Sequence, residues 1–93
     1  MYPRVLGQLR EKVRNRQYVM TIHAEEEMDD DDFSIFDVES GILSGKIRER
    51  QKDQNTGEWK YVIEGQTLVG DSIAVVAKIG ATEKLVILTV WRE

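Results

Sequence analysis

Residues 45–65, GKIRERQKDQNTGEWKYVIEG, decide the fold. Upstream of Gly45 the apolar residues recur at helical spacing; from Lys46 onward the period drops to two. KIRERQKD alternates, DQNTGE supplies turn chemistry, and EWKYVIEG places Trp59, Tyr61 and Ile63 on one face of a second strand. Working outward toward the C-terminus, Gly70-Asp71 marks another turn, and SIAVVAKI and KLVILTVW follow on either side of Gly80-Ala81-Thr82-Glu83. None of these connections approaches the dozen or so residues that a parallel crossover needs. The pattern therefore predicts a four-stranded antiparallel meander with strands near 46–52, 58–65, 71–79 and 84–92.

Working outward toward the N-terminus, Ser34 and Asp37 form a capping-box variant. Ile35, Phe36, Val38, Ile42 and Leu43 make the apolar stripe of the helix they start, and Gly45 is placed to end it in the left-handed conformation. Thr21 can cap an earlier short helix carrying His23, Ala24 and Met28, which should fail within the acidic run at 29–32 because adjacent aspartates repel one another. Pro3 suits a first helical turn, and Val5, Leu6, Leu9 and Val13 predict a helix over about 3–16. Tyr18-Val19-Met20 reads as a short extended link. The fold class is α+β: two to three N-terminal helices on a four-stranded antiparallel sheet, in one domain spanning residues 1–93.

The 93 residues include no cysteine, which excludes disulfides, thiolate metal sites and cysteine nucleophiles. No apolar run approaches the roughly 18 residues of a membrane helix, and the charged N-terminus does not read as a secretory signal. The expected location is the cytoplasm. Net charge is −4, but the charge is segregated: +4 over residues 1–20, −9 over 21–40 and +3 over 41–52.

His23 is the only histidine and the side chain best suited to proton transfer near neutral pH. Lys46, Arg48, Arg50 and Lys52 alternate, so a regular strand would present them on one face, with Ile47, Glu49 and Gln51 on the other. Four cations about 7 Å apart could track a phosphate backbone, with Trp59 and Tyr61 on the next strand as stacking groups. The same charges would also guard an edge strand from aggregation. The last strand is apolar on both faces: Leu85, Ile87 and Trp91 on one, Val86, Leu88 and Val90 on the other. That pattern asks for cover on the second face, by the chain itself, by a second copy, or by a partner touching Trp91, Val86 and Leu88. The acidic run lacks calcium-loop spacing and reads as a solvated loop or as a docking surface for a basic protein. The sequence has no nucleotide-binding glycine loop, nucleophile elbow or zinc pattern, and no metal or cofactor is expected.

At TIHAEEEM (21–28), SIFDVESGILSGKI (34–47) and LVILTVW (85–91) the chain resembles a small bacterial family, the domain of unknown function 4258. The resemblance covers roughly residues 18–92 and implies a RelE-like, barnase-like ribonuclease fold. It implies the toxin half of a toxin–antitoxin pair, partnered by a small zinc-finger antitoxin and acting on RNA. Cleavage would need no metal and would transfer the phosphodiester to the ribose 2′-hydroxyl. His23 is the position that carries over, as the proton-transfer residue; Arg48 and Arg50 would contact phosphate, and Tyr61 would stack or donate a proton. The family pattern commonly has arginine where this chain has Glu27, another basic residue near Asp31, histidine at Ala74 and tyrosine at Trp91. The resemblance therefore implies a toxin-type protein of weak or lost nuclease activity; the alternative is a non-catalytic interaction module, homodimeric or partner-binding.

Overall fold

The computed structural model describes residues 2–93. Helix α1 (Pro3–Arg14) opens on its proline, buries Leu9 and Val13, and ends with Lys12 and Arg14 at the negative pole of its dipole. Strand β1 (Tyr18–Met20) precedes α2 (Ile22–Asp30) and α3 (Ile35–Ser44), and strands β2 (Lys46–Lys52), β3 (Trp59–Gln66), β4 (Ser72–Ile79) and β5 (Leu85–Arg92) complete the chain. No helix among the described residues is long and apolar enough to cross a membrane.

The sheet has five strands in the order β1-β5-β4-β3-β2. The antiparallel meander from β2 to β5 is the one the alternation predicts. The expected four-stranded, wholly antiparallel sheet is corrected by β1: the segment read as a link pairs parallel with β5, Tyr18 opposite Leu85 and Met20 opposite Ile87. Three residues are too few to show a period, and their partner lies at the other end of the chain, so no turn signal marks the pairing.

All three helices pack on one face. Their Leu9, Ala24, Val38 and Ile42 join Ile63, Ile73, Val75, Leu85, Ile87 and Val90 in a single core cluster. Thr21 caps α2 by accepting from the Ala24 N–H, and its own N–H and hydroxyl donate to the Ile87 and Leu88 carbonyls of β5. Farther along, Glu27 accepts from the Val90 N–H and Asp31 from the Arg92 N–H, both at 3.2 Å. Beyond the end of β1, α2 thus satisfies the open edge of β5 with carboxylates in place of a strand.

Helix α3 carries the predicted capping box, Ser34 and Asp37 bonding reciprocally. Its expected left-handed end is not found: Gly45 is extended, with φ −86° and ψ 178°. Glycine is required there by crowding, since a Cβ would lie 2.6 Å from the Glu64 carbonyl oxygen and 2.7 Å from Ile63 Cγ2. The Gly45 carbonyl accepts from Arg10 Nη2 at 2.7 Å, which sets a cation at the C-terminal end of α3. The expected stripe is also narrower than read: Val38 and Ile42 are buried, whereas Phe36 is 56% and Leu43 37% exposed.

Two bulges reset the side-chain phase. In β5, Val76 pairs with Thr89 and Ala77 with Ile87, leaving Leu88 as the extra residue. Leu85, Ile87 and Val90 therefore share the core side, and Trp91 turns to the uncovered face, opposite Ala74; the expected grouping of Trp91 with Ile87 is reversed. In β2, Ile47 pairs with Ile63 and Glu49 with Val62, so Arg48 is the extra residue.

Candidate functional site

The bulge at Arg48 divides the four cations expected on one face. Lys46 stands opposite Glu64, on the face without helices, and Arg48 turns to the same side. Arg50 stands opposite Tyr61, a core residue, and Lys52 opposite Trp59, so both lie on the helix side. A strand without the extra residue would have kept one phase throughout.

On the uncovered face the Arg48 guanidinium lies 2.9 Å from Glu93 Oε1 and 3.4 Å from Glu64 Oε1, and 5.9 Å from the centre of the Trp91 ring. These groups border a cleft of about 580 Å³, with Lys46, Gln66 and Ser72 also on its walls. The Glu64 carboxyl is held above the usual carboxylate range, first by its hydrogen bond with Glu93 and then by desolvation, against the pull of Arg48. The charge of Arg48 is thus committed to two carboxyl groups. Val62, Ala74 and Val76, all buried, lie beneath this layer of charged and aromatic side chains, and Lys78 pairs with Glu58 at 2.9 Å beside them. Val86 and Trp91 lie on this face half-buried, and Leu88 sits half-buried at the bulge.

On the helix side, Arg50 stacks over Trp59 at 3.9 Å from its ring centre and lies 5.4 Å from the Tyr2 ring. Lys52 Nζ approaches the same indole at 5.7 Å. Trp59 remains 42% exposed, and neither Arg50 nor Lys52 makes an ion pair among the described residues. Tyr61 is buried and meets Tyr2 edge-on, with ring centres 6.2 Å apart. A cleft of about 260 Å³ opens between Trp59, Tyr61, Val5 and Ile79. Chemically this corner offers a stacking platform and two uncompensated cations.

His23 lies elsewhere. It sits in the first turn of α2, largely exposed, with Nε2 3.2 Å from Glu27 Oε1. Thr21 anchors that turn to β5, and β5 is three strand steps from β2, on the order of 14 Å. The structure therefore brings Arg50, Lys52 and Trp59 together near Tyr61, and Lys46 with Arg48 and Trp91, but places His23 on α2 against β5, three strands from the strand that carries the four cations. The sequence reading missed Glu64 and Glu93 as partners of Arg48; the alternation of β3 could have placed Glu64 opposite Lys46, but nothing local marks the approach of Glu93.

A family model for the domain of unknown function 4258 matches residues 20–92, from the end of β1 through β5. The chain belongs to this family. No curated protein and no solved structure matches the chain. Within the span matched by the domain of unknown function 4258, Glu27 stands where the resemblance leads one to expect arginine, and Asp31 near where it leads one to expect another basic residue. Here they hold the backbone of β5 through its Val90 and Arg92 N–H groups. Ala74, at the expected histidine, shares a cross-strand row with Glu64 and Trp91 on the uncovered face.

Proposed function

We propose that the protein is a RelE-like, toxin-type member of a toxin–antitoxin pair that binds single-stranded RNA across β2, with metal-independent endoribonuclease activity weak or lost. One observation carries this reading: at the edge strand β2 the Arg50 guanidinium lies 3.9 Å from the centre of the exposed Trp59 indole and Lys52 Nζ 5.7 Å from the same ring, and neither cation makes an ion pair among the described residues. Stacking on aromatic rings beside cations is how single strands are held without sequence readout. Three helices on one face of an antiparallel meander agree with the fold that the family resemblance implies. Cleavage by 2′-hydroxyl attack needs a base, an acid and a cation around one phosphate. The only imidazole sits on α2 against β5, three strands from the cationic strand, which favours binding over cutting. A small zinc-finger antitoxin would be the protein partner.

Fluorescence anisotropy with a labelled single-stranded RNA tests this reading. Trp59→Ala should weaken binding by about 1–3 kcal/mol, and Arg50→Ala should reduce the salt slope by about 0.7. Absence of binding at low salt would refute it. Induction in a bacterium, followed by growth and transcript integrity, tests the toxin assignment. Intact transcripts together with unchanged growth in the absence of a partner would overturn that assignment.

A further inference from the structure

The cleft beside Trp59 is built from both layers of the fold. Helix α1 contributes Val5 and Gln8, β3 contributes Trp59 and Tyr61, and β4 contributes Ile79. At about 260 Å³ it falls short of the roughly 300 Å³ at which pockets for drug-sized ligands begin, and it suits one flat ring system. Tyr61 is 8% exposed. Neither its hydroxyl nor the side-chain amide of Gln8 makes a hydrogen bond among the described residues. A tyrosine hydroxyl in such surroundings usually has a partner. An aliphatic occupant would leave both groups unpaired, whereas a ring with donors and acceptors along its edge would satisfy them.

The surrounding charge says what that ring would be attached to. Arg50 lies 3.9 Å from the centre of the Trp59 indole and Lys52 Nζ 5.7 Å from it, both without ion pairs among the described residues. The nearby carboxylates are engaged or face elsewhere. Glu58 lines the cleft, but its carboxylate pairs with Lys78 Nζ at 2.9 Å. Asp53 accepts from the Asn55 and Thr56 N–H groups of its own turn, and Glu49 stands opposite Val62 on the other face of the sheet. Glu11 and Glu83 border an adjoining cleft of about 300 Å³ that shares Gln8 and Ile79, where Lys12 partly offsets them. An anion joined to the ring is therefore favoured on the β2 side of the indole and disfavoured along α1.

We propose that this cleft receives a nucleobase, stacked on the Trp59 indole and hydrogen-bonded at its edge by Tyr61 and Gln8, with the attached phosphate toward Arg50 and Lys52. Arg50 stacks over the indole from β2, and no β2 residue lines the cleft, which leaves the other side of the ring to the base. The inference rests on the proposed function for the RNA strand to which the base belongs. One base of that strand would leave the rim of the sheet and enter the seam between α1 and β3.

NMR titrations of the isotope-labelled full chain test this. The ligands are adenosine 5′-monophosphate, a short single-stranded RNA, ribose 5-phosphate, which lacks the base, and N-acetyltyrosinamide, which has a ring but no phosphate. The expected result is nuclear Overhauser contacts from base protons to the Val5 and Ile79 methyl groups with the first two ligands, and no change at those methyls with the others. Tyr61→Phe, which keeps the ring, should weaken adenosine 5′-monophosphate about fivefold. Val5→Phe, which fills the cleft, should abolish the contacts; if it unfolds, Tyr61→Phe carries the test. Equal shifts with ribose 5-phosphate, equal or tighter binding of N-acetyltyrosinamide, or an unchanged affinity in Tyr61→Phe would overturn the inference. RNA binding along β2 that leaves Val5 and Ile79 unmoved would overturn it while sparing the proposed function. Base contacts from the mononucleotide without any binding of RNA would do the reverse, and no change with any ligand would overturn both.

Discussion

Replacing Gly65 by alanine should cost a large share of the protein's stability, because two backbones meet there. A Cβ on Gly65 would lie 2.8 Å from the carbonyl carbon of Gly41 and 3.0 Å from its Cα, and nearer still to the carbonyl oxygen. Comfortable carbon–carbon contact begins at about 3.5 Å, so α3 and β3 must part by roughly 0.7 Å or more. No side-chain rotation relieves the clash, because every atom met belongs to main chain. The parting would loosen Val38 and Ile42 of α3 from Ile63 and Ile73 of the sheet, all four wholly buried. A gap of that size forfeits about a quarter to a half of each dispersion well, and overpacking alone costs about 1–3 kcal/mol. The sum should reach about 3–4 kcal/mol, against a total stability of about 5–14 kcal/mol for a chain of this length. Urea unfolding followed by circular dichroism should show the midpoint fall by about 2 M. Gly7→Ala is the matched control: nothing lies within 4 Å of a Cβ there, the site is inside α1, and a gain of about 0.5–1 kcal/mol is expected. A Gly65→Ala protein with a wild-type midpoint and an unchanged native spectrum would refute the backbone contact.

Three further outcomes follow from the polar contacts. Glu27→Ala should leave the Val90 N–H without its acceptor, costing about 1–2 kcal/mol and speeding amide exchange at that residue. The Tyr18 hydroxyl is pushed up to about 12, first by desolvation and then by its hydrogen bond to Glu39. The folded state holds that proton more tightly than the unfolded chain does, so the contribution is complete below pH 10 and lost as pH rises toward 12. Tyr18→Phe should remove that alkaline dependence in pH-resolved denaturation. The Asp37 carboxyl is held below its ordinary value of 3.8, chiefly by the Ser34 N–H. Its contribution is present above that value and lost as pH falls through the depressed one; Ser34→Ala should cost about 1 kcal/mol in thermal melts.

The meander and the capped helices were legible because their signals are local: alternation, turn glycines and the Ser34–Asp37 spacing each lie within a few residues. The fifth strand was not, since Tyr18–Met20 gains its identity only from Leu85–Ile87. The bulges were also invisible. Residue types in KIRERQK are the same whether Arg48 is in register or extra, and the choice is made by which residues of β3 must face the core. That hidden phase change is why the cations were legible as residues but not as a single face. The acidic residues at 27 and 31 read as a loss of cationic function, whereas their geometry shows a structural duty at the edge of β5.

The extra residue in β2 has a topological consequence. In register, the strand would be a comb with all its positive teeth on one side. One added residue twists the comb so that its first teeth point over one flank and its last over the other. Only the thickness of an edge strand, about 5 Å, separates the two directions. On the proposed RNA-binding reading, a flexible polyanion laid over that rim would meet Lys46 on one slope and Arg50 on the other, gripping the sheet as a rope grips a gunwale. Removing the bulge while keeping every cation would leave the net charge unchanged and abolish the straddle.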